Sequence, residues 1–312
     1  MLALVALPAL LTGYLSLKAG GFYPATPALV ALVLGQVMVL RTTSAQRPYA
    51  GYSHALAIAG AALALFGLWG LSSSLWSHAP GRALMEFDRV LMYLLVLVVF
   101  GSMRWSDGQT RWMVRLLALA VVGVCGVALA SRVLPDVLTT APNVANNRLS
   151  YPLTYWNSLG LLAALGAVLC LYLASDERAG AWIRALAAAG TPVVITTLYF
   201  TFSRGAIAAG AIAIVLFALV GRPRGLLAAL LALAVPVTVA LVSAYRASLL
   251  AGLNPTSAAA TRQGHHVAWV VGGCIVGAAA LRLCLVPLDR RLAAIDLPAL
   301  SRRTVGALAA AA

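Results

Sequence analysis

Long apolar runs alternate with short polar breaks along the chain. The runs are roughly twenty residues long, about what a helix needs to cross ~30 Å of hydrocarbon, and the breaks carry Arg, Asp, Pro and Gly. They fall at 2–17, 24–40, 54–75, 86–101, 112–131, 158–175, 181–201, 205–220, 225–244 and 266–284. None shows the apolar/polar alternation of a barrel strand, so the pattern predicts an all-α fold, a polytopic transmembrane bundle of about ten helices. The first run lacks a charged start and the second follows almost at once, which makes it a helix of the bundle and not a leader. One helical domain is expected over 1–285, with polar exterior loops at 132–157 and 245–265. Residues 286–312 read as a cytoplasmic segment, with 292–300 lying along the inner surface. Arg302 and Arg303 followed by alanines to Ala312 read as the start of a further apolar helix, as if the chain were a piece of a longer protein.

Composition agrees with a lipid solvent. Hydrophobic residues make up 62% and charged residues 10%, too little polar surface for a globule in water. The net charge of +14 does not point to nucleic acid, because the 21 arginines and one lysine are spread over nearly every loop instead of forming one basic face. With the N-terminus inside, alternate loops hold fourteen cations against eight, and the positive-inside rule places the richer set in the cytoplasm. The four cysteines sit in apolar runs without ligand spacing and read as small core residues. No phosphate-cradling glycine loop occurs in the short cytoplasmic connections.

This orientation gathers the unusual polar sequence outside. The densest stretch, Asn147-Arg148-Leu149-Ser150-Tyr151-Pro152-Leu153-Thr154-Tyr155-Trp156-Asn157, leads into the sixth run. An aromatic interfacial belt accounts for Tyr151, Tyr155 and Trp156, but a belt does not require Arg148 or Asn157. Next comes Ser203-Arg204-Gly205, a tight exterior turn. Its arginine either snorkels to headgroups or, beside a helix N-terminus, offers a site for a phosphate or diphosphate. Third is Thr261-Arg262-Gln263-Gly264-His265-His266, in which His265 is either an interfacial residue or a general base for a hydroxyl nucleophile. Neighbours on a helix point about 100° apart, so His265 and His266 do not chelate one ion. A fourth cluster holds Trp76, Arg82, Glu86, Asp88 and Arg89. Its carboxylates either hold a divalent cation or neutralise Arg82 and Arg89 at a helix start, and the second reading needs fewer ligands.

In order, placement and spacing, Arg148-Leu149-Ser150-Tyr151-Pro152, Tyr155-Trp156-Asn157 and then Ser203-Arg204-Gly205, with Leu75-Trp76-Ser77 and Pro80 before them, resemble the O-antigen ligase and Wzy-type polymerase family of bacterial envelope enzymes. The likeness covers residues 60–285. It implies a GT-C-like glycosyltransferase architecture and a metal-independent, inverting transfer that needs no cofactor. A glycan on undecaprenyl diphosphate would move to a hydroxyl of a glycan or lipid acceptor at the outer face of the cytoplasmic membrane. Arg148 and Arg204 then supply fixed positive charge to the departing diphosphate, and His265 is the base. Tyr155 and Asn157 orient oxygens, while Tyr151, Trp156, Ser203, Arg262, Arg82 and Arg89 complete the substrate-binding set. The chain departs from the family at 244–265, which is short where members commonly carry a large exterior loop with further helices beyond it. Two other readings fit the same cations: a transporter or flippase for an anionic lipid or solute, and a truncated, inactive membrane scaffold. The first is disfavoured by the lack of an internal repeat and of polar residues at mid-membrane.

Overall fold

A computed structural model describes residues 2–140, 147–221, 223–253 and 255–293, and among them no strand occurs. The helices are α1 (Leu2–Leu17), α2 (Ala25–Ser44), α3 (His54–Ser72), α4 (Pro80–Gly101), α5 (Asp107–Val133), α6 (Trp156–Ser175), α7 (Ala181–Thr201), α8 (Arg204–Leu216), α9 (Leu226–Arg246), α10 (Ala258–Cys284) and α11 (Val286–Ala293). A π-helical segment, Phe217–Gly221, continues α8. Arg222 and the further helix expected after Arg303 lie outside the described residues, as does segment 292–300 beyond Ala293.

Every expected run is helical, but eight helices, not ten, are long and apolar enough to cross a bilayer among the described residues. Two fall short for different reasons. Helix α1 has 16 residues, and α4, although 22 residues long, carries Arg82, Glu86, Asp88 and Arg89 in its first half. Three helix starts also differ from expectation, among them α5, which begins at Asp107 and not at 112. Pro80 opens α4 at a position where its missing N–H costs nothing. Ser257 caps α10 by accepting from the Ala260 amide, so α10 begins at 258 and takes in Arg262 and His265, which the apolar pattern leaves in a loop before the run that opens at His266.

The chain, read above as one bundle, divides into two compact units, 1–113 and 114–312. In the first, Val30, Ala31, Leu34 and Met92 join α2 to α4, with Leu7 and Leu11 of α1 against them. Arg41, in the last turn of α2, closes this unit at one end. Its guanidinium donates to the carbonyl of Val99 at 3.1 Å, to Ser102 Oγ at 2.8 Å and to the Pro48 carbonyl. The first of these bonds serves a carbonyl in the last turn of α4, where helical partners run out.

The second unit is built around α7, which packs on α6, α9 and α10 and is the most enclosed span. Small residues make the close approach possible, as expected where no hydrophobic force separates helix from lipid. A Cβ at Gly166 would stand 2.8 Å from Val121 and 3.0 Å from Val194. Helix direction alternates, so the end of α5, the start of α6, the end of α7, the start of α8, the end of α9 and the start of α10 share one end of this unit. Three long-range bonds fasten them there: Leu149 N–H to the Phe200 carbonyl at 2.8 Å, Arg132 Nη1 to the Leu250 carbonyl at 2.9 Å and Leu249 N–H to Gln263 Oε1 at 3.0 Å. We call this the loop end.

A cluster of buried charge closes the opposite end. Asp289 Oδ2, on α11, accepts from Arg184 Nη1 and Arg282 Nη2, each at 2.6 Å. Arg282, fully buried, also donates through Nε to the Ala174 carbonyl at 2.7 Å. Arg184 and Arg282 are therefore joints between α6, α7, α10 and α11.

Candidate functional site

Two clusters stand at the loop end of the second unit. The first joins the start of α6 to the α7–α8 turn. Helix α7 ends with Phe202 in a left-handed conformation (φ 50°), which reverses the chain sharply. Ser203 then caps α8, its hydroxyl accepting from the Ala206 amide at 3.3 Å. The same hydroxyl donates to Asn157 Oδ1 at 2.8 Å, and Asn157 Nδ2 donates to Tyr155 Oη at 2.7 Å. Asn157 thus acts as a strut between two helix starts. The Tyr155 hydroxyl keeps its own hydrogen for another acceptor, because it is the acceptor in that bond.

Around this strut lie the two arginines. Arg148 places its guanidinium carbon 5.1 Å from the centre of the Trp156 ring, a cation–π contact that holds the charge at the mouth of α6. Arg204 is the first residue of α8, is exposed, and forms no ion pair among the described residues. Tyr151 precedes Pro152 through a cis peptide in the connecting loop. Gly160 lets the helices meet: a Cβ there would lie 2.9 Å from Ala206 Cβ and 3.0 Å from both Ser203 Cβ and Thr201 Oγ1. Gly160→Leu is expected to force the α8 start away and to cost about 1–3 kcal/mol by overpacking. Thermal aggregation of the purified variant in detergent checks this. Stability equal to the parent's would contradict the close approach.

The second cluster is a dyad. His265 Nε2 lies 2.9 Å from Asp136 Oδ1 and 3.1 Å from Oδ2, both side chains being about half exposed (44% and 49%). An ionised carboxylate only accepts, so Nε2 carries the hydrogen and Nδ1 of the neutral ring is left as acceptor. The hydrogen bond from His265 is the main reason the Asp136 carboxyl lies below its ordinary pKa, with desolvation acting the other way. Gly264 brings α10 this close to α5, because any Cβ would collide with the Val133 carbonyl oxygen.

Three of the predicted site residues lie elsewhere. Arg262 points, with His266, into a trough between α9 and α10, so His265 and its neighbour serve different surroundings. Arg82 and Arg89 belong to the first unit. Arg89 pairs with Glu86 at 2.6 Å and donates to the Phe22 carbonyl at 3.0 Å, while Arg82 lies exposed in the first turn of α4. No group of three metal-ligating side chains occurs among the described residues.

Sequence reasoning missed Asp136 and the close approach at Gly160. The one available signal for Asp136 was scarcity: it is one of only eight acidic residues and lies alone in a loop otherwise rich in hydrogen-bonding groups. A scan against family models and searches of curated proteins and of solved structures find no match to this chain.

Proposed function

We propose that this membrane-embedded protein is a glycosyltransferase of O-antigen ligase or polysaccharide-polymerase type, moving a glycan from undecaprenyl diphosphate to an acceptor hydroxyl at the outer face of the cytoplasmic membrane. One observation carries the reading. A histidine aligned by a carboxylate, a loop arginine held over the first residue of α6 and an arginine that opens α8 occupy the same end of one helical unit. The reaction asks for that combination: a base where the nucleophile loses a proton, and fixed positive charge where the leaving group gains negative charge.

In the proposed step the acceptor oxygen attacks the anomeric carbon from the face opposite the diphosphate. As that C–O bond forms, the acceptor proton passes to Nδ1 of His265. The bond to the diphosphate oxygen breaks with its electron pair, and the diphosphate leaves toward Arg148 and Arg204. Asp136 stabilises the imidazolium so formed. The Tyr155 hydroxyl donates to a sugar or phosphate oxygen, and the Asn157–Ser203 bond keeps α6 and α8 in register.

The test is transfer by the protein reconstituted in liposomes with a glycan-loaded undecaprenyl diphosphate. Arg148→Ala and Arg204→Ala are each expected to lower the rate about 10²–10³-fold, the range for removing one preorganised partner of developing charge. Undiminished transfer in both variants refutes the assignment.

A further inference from the structure

A trough of about 720 Å³ runs between α9 and α10 at the loop end. Val239, Val242, Ser243 and Arg246 form one stripe of α9 at helical spacing, and Arg262 and His266, four residues apart, face them from α10. The stripe runs seven helical steps from Val239 to Arg246, about 10 Å, with its apolar part at the Val239 end and the three basic side chains at its mouth. Neither arginine forms an ion pair among the described residues, and no carboxylate lines the trough. Ser243 Oγ is buried and lacks a hydrogen-bond partner, which is uncommon for a helical serine with a backbone carbonyl one turn away.

We propose that this trough binds an anionic glycerophospholipid of the surrounding bilayer, its phosphate between Arg246, Arg262 and His266 and one acyl chain along Val239 and Val242. Charge and depth select this occupant. Cations cluster at headgroup level, and the apolar part is shorter than one ~15 Å leaflet. Val239 and Val242 are each more than two-fifths exposed, so the trough opens sideways toward lipid. Arg148 and Arg204 belong to the α6–α8 side of the unit, so this phosphate site is separate from the one proposed for the leaving diphosphate and does not depend on it.

The experiment is a lipid titration of the purified full chain in neutral detergent, read by native mass spectrometry. Phosphatidylglycerol is expected to bind at concentrations about tenfold lower than phosphatidylcholine. In R246A/R262A its binding weakens about thirtyfold, the effect of removing two cations worth about 1 kcal/mol each. V242W, which fills the trough and leaves the charges in place, weakens phosphatidylglycerol binding as well, and R148A/R204A leaves it unchanged. Equal binding of the two lipids by the parent overturns the proposal. So does full retention of phosphatidylglycerol by R246A/R262A or by V242W, or its loss in R148A/R204A.

Discussion

His265→Ala is expected to lower glycan transfer about 10²–10⁴-fold, the usual contribution of a positioned general base, while membrane insertion and donor binding stay intact. The side chain is almost half exposed and its removal leaves no buried partner, so the loss would be chemical and not structural. Asp136 distinguishes the dyad from a lone histidine. Asp136→Asn can present its amide hydrogens to Nε2, which moves the ring hydrogen to Nδ1 and removes the lone pair that the acceptor hydroxyl needs. The asparagine variant should therefore lose at least as much activity as Asp136→Ala, although it is the gentler change in shape. The pH dependence follows in sign. The dyad holds the Asp136 carboxyl below its ordinary pKa, so the aligned pair is fully present above that ordinary value and is lost only as pH falls through the lowered one. Rates of the parent and both Asp136 variants at neutral pH test the ordering, and a titration of the Asp136 carboxyl by NMR from about pH 2 to pH 6 tests the sign. A rate for H265A within threefold of the parent would remove His265 from the mechanism.

Much of this arrangement was legible in the sequence, and the illegible part has a physical reason. Each apolar run appears as a helix because crossing hydrocarbon leaves no other way to satisfy the backbone. Three helix starts were hidden because α4, α5 and α10 begin inside polar sequence, at Pro80, at Asp107 and at the Ser257 cap, where hydropathy gives no signal. Asn157 and Ser203 each stood out by composition, yet nothing local said that they bond to each other across 46 residues. The Asp136–His265 pair spans 129 residues, and only the packing of α10 on α5 at Gly264 creates it. The opposite end teaches the same lesson. Arg184 and Arg282 look like any cytoplasmic loop cation, and their burial depends on Asp289, which lies 105 residues from Arg184.

That buried cluster sets the second large effect: Asp289→Ala should destabilise the second unit by about 3–5 kcal/mol. Removing this carboxylate leaves two guanidiniums, one fully buried and one nearly so, with no counter-charge. A desolvated, unpaired ion costs more than the van der Waals packing of the carboxylate that the substitution takes from α11. Partners are already short there, since Arg184 Nε, Arg282 Nη1 and Asp289 Oδ1 find none among the described residues. The midpoint of thermal aggregation in detergent should fall by on the order of ten degrees. A triple change, Arg184→Leu with Arg282→Met and Asp289→Leu, separates charge from shape, because an apolar substitute for a buried ionic group is often neutral or better. The triple variant should recover most of the loss, whereas Asp289→Asn, similar in size to the parent residue but uncharged, should stay near the alanine variant. An unchanged midpoint in Asp289→Ala would mean that water or another anion neutralises the arginines, and that α11 is not what holds α7 and α10 together at this end.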